Sequence, residues 1–326
     1  MTLGFLTVPL PERGFFFCPY PFGMKIVLVG DAHLASSDIK TRTDSSSEAG
    51  LAKLESVLSL ASSLDAAAVI FTGDFLHHNR NNYLYLLRVY DLFERYRVPS
   101  YTIMGNHDLR GDDLSSSVYS QVRLCFGRWF SWLDRLELAP GVVVRGVDAY
   151  TDLNSLEVDP DVTLLVTHHW LSPSYSDPLL LTVPMAKSLF PSLRWLLAGH
   201  DHALHPVGLS HGVATVRPGS LVRVSCSADS DRIPTVAVLD TESGSVELVP
   251  VPHAAPFQGL FHERVQSTSS SDVVDRFSAS LESIRELSSV LAVEEYLLSA
   301  LQSVSSPLVR ELVASDLVSH GYNVAG

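Results

Sequence analysis

The sequence predicts an α/β fold built as a layered sandwich, and three observations carry that prediction. Five short apolar runs, from Lys25–Val29 to Trp195–Ala198, recur along the chain, each ending on a glycine, acid, amide or histidine. Segments with helical spacing separate the first of these runs, which implies crossover connections and a largely parallel sheet. From Gly212 onward the strands follow one another through short turns, so that half is rich in hairpins.

Taken in order, Lys25-Ile26-Val27-Leu28-Val29 reads as a buried parallel strand ending in Gly30-Asp31. Helical spacing follows at Leu51, Leu54, Val57, Leu58 and Leu60 to Leu64. A second strand, Ala66 to Thr72, ends in Gly73-Asp74. The next helix carries an apolar stripe at Tyr83, Leu86, Leu87, Tyr90 and Phe93. The remaining strands with polar ends are Val98 to Met104 before Gly105-Asn106-His107-Asp108, Val162 to Thr167 before His168-His169, and Trp195 to Ala198 before Gly199-His200-Asp201-His202. Gly212 to Val216, Pro234 to Leu239 and Val246 to Val251 complete the strands. From Asp272 a helical stripe runs through Val274, Phe277, Leu281, Ile284, Leu287 and Leu291, then Leu298, Leu301, Leu308, Leu312 and Val313. The resulting division is residues 1–23 as an N-terminal extension, 24–252 as the catalytic body, and 253–326 as a small helical appendage that caps the body or docks a partner's helix. A native start at Met24, directly before the first strand, is the alternative account of residues 1–23.

Composition narrows the function. The chain has 326 residues, is 46% hydrophobic, and carries a formal charge of −13. A generally basic nucleic-acid-binding surface is therefore excluded, and any such contact must be local. Residues 254–326 hold four basic against nine acidic residues, so that end is no basic tail. Cys18, Cys125 and Cys226 stand far apart, in keeping with reduced thiols and a cytoplasmic protein. No apolar run nears the roughly 20 residues of a membrane span. The prolines at 9, 11, 19 and 21 fit a signal peptide poorly.

Open sheets of this kind collect their sites at the carboxyl ends of the strands, where all five polar clusters fall. Asp31, His33, Asp74, Asn106, His168, His200 and His202 offer two carboxylates, one amide and four imidazoles. That set suits Mn²⁺, Fe²⁺ or Zn²⁺. Asp31 and His33 alternate by two on an extended segment and can turn to one ion, as can His200 and His202. Hydrolysis of a phosphodiester is served by two such ions about 3.5–4 Å apart. A central Asp74 can give one oxygen to each. Two divalent ions against two carboxylates leave the filled site about +2, enough to draw a phosphate to an acidic protein. His107, next to Asn106, is free to act as general acid, and no serine or cysteine nucleophile is needed.

The motifs GDAHL (30–34), GDFLH (73–77), GNHD (105–108), THH (167–169) and GHDH (199–202) resemble the signature of the calcineurin-like metallophosphoesterases over residues 24–252. Within that superfamily the chain is most similar to SbcD-type DNA repair exonucleases, including phage-borne relatives. His77 three residues after the central acid, Pro218-Gly219-Ser220-Leu221-Val222-Arg223 after GHDH, and the trailing helices carry that likeness. The resemblance implies a four-layer α/β/β/α metallophosphoesterase sandwich. It implies one ion on Asp31, His33, Asp74 and His202 and a second on Asp74, Asn106, His168 and His200, with Mn²⁺ the usual activator. It makes His107 the general acid and sets His77 near the scissile phosphate. For THHW, His168 is taken as the ligand because it sits at the strand end, with His169 as the fallback. Arg217, Ser220 and Arg223 fall where a DNA backbone would pass, and Asn79 to Asn82 form a loop rim beside it; a structural turn explains Pro218-Gly219 equally well.

The implied function is a two-metal DNA exonuclease or endonuclease working in repair or recombination, with DNA as substrate and an SbcC-like coiled-coil ATPase as partner. A homodimer fits the same picture, and a membrane does not. The alternative enzyme is a small-molecule phosphodiesterase or phosphatase of the same superfamily, which the acidic charge favours. A scaffold that lost its chemistry is disfavoured by the complete ligand set.

Overall fold

A computed structural model describes residues 23–109, 120–171, 180–225, 232–253 and 259–262. Cys18, Cys226 and the helical stripe of residues 272–313 lie outside the described residues. The chain runs through β1 (Lys25–Val29), α1 (Ser46–Ser63), β2 (Ala68–Phe71), α2 (Tyr83–Tyr96), β3 (Ser100–Thr102) and β4 (Phe130–Trp132). It continues through β5 (Arg135–Ala139), β6 (Val142–Val147), β7 (Val162–Thr167), β8 (Trp170–Leu171), β9 (Leu180–Leu181) and α3 (Val183–Leu189). Last come β10 (Trp195–Ala198), β11 (Gly208–Ser210), β12 (Val213–Val216), β13 (Thr235–Asp240) and β14 (Val246–Pro250).

Two six-stranded sheets form the body, ordered β14-β13-β1-β2-β3-β4 and β11-β12-β10-β7-β6-β5. In the first, β1 to β4 are parallel and the β13–β14 hairpin adds antiparallel to β1. In the second, β6, β7, β10 and β12 are parallel, with β5 and β11 as antiparallel edges. The alternation of side chains along each strand assigns the layers. Val27 and Val29 of β1 pack with Leu54, Val57 and Leu58 of α1 and Val89 and Phe93 of α2. Ile26 and Leu28 face the other way, into a core shared with Leu164, Val166 and Leu197 of the second sheet. Leu165 and Leu196 then meet Val183 and Ala186 of α3. The order is therefore helices, sheet, sheet, helix, the α/β/β/α sandwich.

Local chemistry sets the helix ends. The Ser45 side chain accepts from the Glu48 N–H to start α1, and Asn82 does the same for the Tyr85 N–H at α2. Helix α2 stops at Arg97, whose φ of 56° cannot continue a right-handed helix. Its buried face differs from the sequence expectation. Tyr85, Leu86, Val89, Leu92 and Phe93 are buried, whereas Tyr83 is 74% and Leu87 54% exposed. The aromatic stack beneath it decides the rotation: Phe93 lies parallel to Phe130, centroids 4.2 Å apart, and Phe130 was not part of any expected element. The β4–β6 strands, the β8–β9 pair and α3 were likewise unanticipated. No helix among the described residues is long and apolar enough to cross a membrane. Cys125 is buried, which pushes its thiol up to about 12 and leaves it inert.

One buried cation stands out. Lys53 of α1 donates to the Leu221 carbonyl at 2.9 Å. Burial, then the charges of Arg42, Arg223 and Arg232, lower its amine to about 7. Between pH 7 and the ordinary lysine value of 10.5 the unfolded chain holds this proton and the folded chain does not. Stability contributed by this group therefore rises with pH across that window. Denaturation midpoints at pH 7, 8 and 9 should show the native chain gaining on Lys53→Met by about 1 kcal/mol per pH unit; parallel curves would refute it.

Candidate metal centre

The parallel strands of both sheets point their carboxyl ends to one place. Sheet one delivers Asp31 and His33 after β1, Asp74 after β2, and Asn106 and His107 after β3; sheet two delivers His168 after β7 and His200 and His202 after β10. Asp31, His33, Asp74 and His202 bring one ligand atom each within 4.8 Å of all the others. The closest approach is His33 Nε2 to His202 Nε2 at 2.8 Å. Asp74 Oδ2, which lies 3.9 Å from His33 Nε2, is also 3.4 Å from His168 Nε2, and that nitrogen is 3.0 Å from Asn106 Oδ1. His200 Nδ1 is 3.1 Å from that same amide oxygen. Asp74 thus stands between two groups of donors.

Neighbouring backbone orients each group. His168 Nδ1 donates to the Thr72 carbonyl at 2.7 Å, which turns Nε2 toward Asp74 and Asn106. His169 is used otherwise. Its Nδ1 accepts from the Thr167 hydroxyl at 2.8 Å and its Nε2 donates to the Thr151 carbonyl at 3.1 Å. His107 N–H donates to Asp74 Oδ1 at 2.8 Å, and its Nδ1 donates to the His77 carbonyl at 2.7 Å, leaving Nε2 toward the cluster, 4.0 Å from Asp74 Oδ2. The His77 ring stacks on His107, centroids 5.4 Å apart, and its Nδ1 is 3.4 Å from His33 Nδ1. His33, His77 and His107 therefore form a second close group of donors.

Two residues without an assigned role, Asp108 inside GNHD and Thr72 just before GDFLH, hold the centre together. The buried Asp108 carboxylate accepts from the Phe75, Leu76 and Gly105 N–H groups and so ties the Asp74 loop to the Asn106 loop. Burial, and then Asp74, push it up to about 7. Thr72 serves twice, through its carbonyl to His168 and through its hydroxyl to Asp31 Oδ1 at 2.9 Å. Glycine is required where loops touch. A Cβ on Gly105 would run into the Asp74 backbone and carboxylate, and one on Gly199 would sit 2.5 Å from both Asp31 Oδ1 and Thr72 Oγ1.

The electrostatics fit a divalent cation. Burial lowers His33 well below its ordinary value and takes His200 to about 4. Burial also lowers His202, so these rings present lone pairs at neutral pH. For Asp74, burial acts to raise the carboxyl, but the charge and hydrogen bond of His168 together with the charges of His33 and His107 outweigh it and hold it ionised. Burial opposes the charged form of His168 too, and the Asp74 and Asp31 carboxylates overcome it, raising the imidazole to about 10. A buried proton on His168 thus balances carboxylates that a bound cation would balance instead. Neutral donors, ionised Asp74 and the absence of lysine or arginine from the donor set together suit an O/N-ligated divalent ion.

The loop residues following GHDH depart from expectation. Ser220 is 1% and Arg223 2% exposed, so neither lies open to a DNA backbone. The Ser220 N–H donates to the His202 carbonyl and the Leu221 N–H to the Asp31 carbonyl, which makes this turn a brace beneath two candidate ligands. Arg217 pairs with Asp201 at 3.5 Å. In the expected rim, the Asn81 side chain accepts from Ser36 N–H and donates to the His78 carbonyl, and the Asn79 side chain accepts from Gln121 N–H.

The chain belongs to the calcineurin-like phosphoesterase family, whose model matches residues 24–204. It is a hydrolase of that class. Among solved structures it is similar to an archaeal phosphodiesterase, at 15% identity over 70% of this chain and 100% of that one with a TM-score of 0.40. It is similar also to a dimetal phosphatase from Danio rerio, at 13% identity over 70% and 99% with a TM-score of 0.46. A Thermus thermophilus protein matches at 13% over 70% and 98%, with a TM-score of 0.44. Comparison with curated proteins gives no match.

Asp74 and Asp31 raise the His168 imidazole toward its protonated form, and an imidazole that takes an ion must give up its proton. Calorimetric titration with Mn²⁺ at pH 7.5, in buffers of different ionisation heats, should report about one proton released per protein and affinity that rises with pH. His168→Gln should lose that proton release. Binding without it would contradict the assigned protonation.

Proposed function

We propose that the chain is a two-metal phosphodiesterase that cleaves DNA, with Mn²⁺ as its activating ion, in the manner of SbcD-type nucleases. The observation that carries this reading is the gathering of Asp31, His33, Asp74, Asn106, His168, His200 and His202, from five separate loops, around one buried carboxylate. Two bound divalent ions would supply charge neutralisation on the phosphoryl oxygens and an activated water. Asp31, His33, Asp74 and His202 would hold one, and Asp74, Asn106, His168 and His200 the other.

The chain's own residues do the rest. The His77 carbonyl accepts from His107 Nδ1, which leaves Nε2 facing the cluster. As water attacks phosphorus and the P–O bond breaks, His107 acting as an imidazolium acid gives its Nε2 proton to the leaving oxygen. The stacked His77 ring, lowered to about 4 by burial and by His107, stays neutral and adds no competing charge. His77 supports the nuclease reading because it lies beside the acid, on the side of the first ion site.

A small-molecule phosphodiesterase or phosphatase is the second reading, favoured by the charge of −13 and the burial of Ser220 and Arg223. The ATPase partner rests on the sequence resemblance alone, since residues 263–326 lie outside the described residues. Purified protein with Mn²⁺ should degrade single- or double-stranded DNA as well as bis-p-nitrophenyl phosphate. Hydrolysis of the small diester with neither DNA cut would move the assignment to the second reading. His107→Gln should bind the same quantity of Mn²⁺ while kcat falls by roughly 10²–10⁴-fold; loss of metal would refute its role as acid.

A further inference from the structure

Trp170 is the first residue beyond the THH motif, and nothing above gives it a task. It opens β8, immediately past the end of catalytic strand β7. Tryptophan is a residue proteins bury for most of its area, yet Trp170 is 46% exposed. Its indole meets the His200 ring with centroids 5.3 Å apart and planes at 77°. Among the described residues it is the only ring other than histidine in contact with the candidate ligand imidazoles. The other tryptophans are engaged elsewhere: Trp132 donates to Asp148, Trp195 donates to the Gly244 carbonyl, and Trp129 lies under Arg128.

We propose that Trp170 is a specificity residue, a stacking platform for the nucleobase of a nucleotide whose phosphate sits at the metal centre. The proposal rests on the phosphodiesterase reading. One part of the indole is held by His200, which fixes its place relative to the second donor group, and the remainder offers an apolar π-surface to solvent beside it. A base joined through one sugar to the bound phosphate reaches such a ring without leaving the centre, and stacking needs no particular base because every base has a π-face. An acidic protein gains from this arrangement, since it draws affinity from the base rather than from basic side chains along the backbone.

The test compares thymidine 5′-monophosphate, which carries a base, with methyl phosphate, which does not, by calorimetric binding to the Mn²⁺-loaded full chain. The native protein should bind the nucleotide about tenfold more tightly than methyl phosphate. Trp170→Ala should erase that difference without changing the methyl phosphate or Mn²⁺ affinities, and Trp170→Phe should restore most of it. In kinetics the alanine variant should raise KM for a thymidine diester and leave kcat near the native value. Equal affinity of the native protein for both phosphates overturns the proposal, as does a Trp170→Ala variant that weakens both alike, which would make Trp170 a prop for His200. Those results leave the phosphodiesterase reading standing. Failure of the native protein to bind either phosphate with Mn²⁺ in place removes that reading and this inference with it.

Discussion

The structure depends on one buried carboxylate. Asp74 is 1% exposed, yet its Oδ2 faces His33, His168 and His107 while its Oδ1 takes the His107 backbone N–H. An ionised acid in an apolar interior is costly unless compensated. Here the compensation comes from residues of both sheets, so the position of sheet two against sheet one is tied to the charge at this point. His168 of sheet two donates to the Thr72 carbonyl of sheet one, and the His200 N–H donates to Asp31. The apolar core between the sheets supplies the cohesion, and these few polar links fix how the strand ends meet.

Backbone conformation shows what that arrangement costs. His33, Asp74 and His200 have φ of 49°, 43° and 70°, a region that side-chain-bearing residues seldom occupy and that costs roughly 1–3 kcal/mol each. Three of seven candidate ligands sharing that conformation is a mark of a functional site, because strain of this kind persists only where surrounding structure enforces it. The enforcing contacts are visible. The His33 N–H donates to the Asp74 carbonyl, Asp108 gathers three N–H groups of the adjoining loops, and Leu221 secures Asp31 from below. The loops can approach this closely because Gly105 and Gly199 lack a Cβ.

Much of this was legible in the sequence, for a physical reason. A parallel strand buried on both faces leaves a continuous apolar run, and a site at its carboxyl end leaves polar residues directly after it; β1, β7 and β10 were bounded correctly on that rule. The same rule chose His168 over His169; in the structure His168 bonds to the Thr72 carbonyl, and His169 bonds to the Thr167 hydroxyl and the Thr151 carbonyl. What failed was contact across distance. The face of α2 follows from Phe130, 37 residues beyond Phe93, and the short strands β4 and β5 carry no strong period. Ser220 and Arg223 look like solvent-facing polar residues in a turn, and only the fold shows them packed beneath the centre. Asp108 stood inside GNHD and Thr72 directly before GDFLH, but their partners lie on other loops, which spacing along the chain does not show.

The central claim is that Asp74 lies between two divalent ions rather than beside one. Anomalous diffraction from crystals of the full chain grown with Mn²⁺ tests it most directly. The account predicts two peaks about 3.5–4 Å apart, both within coordinating distance of the Asp74 carboxylate, one also near His33 and His202 and the other near Asn106 and His168. A single peak, or a pair that does not share Asp74, would contradict it.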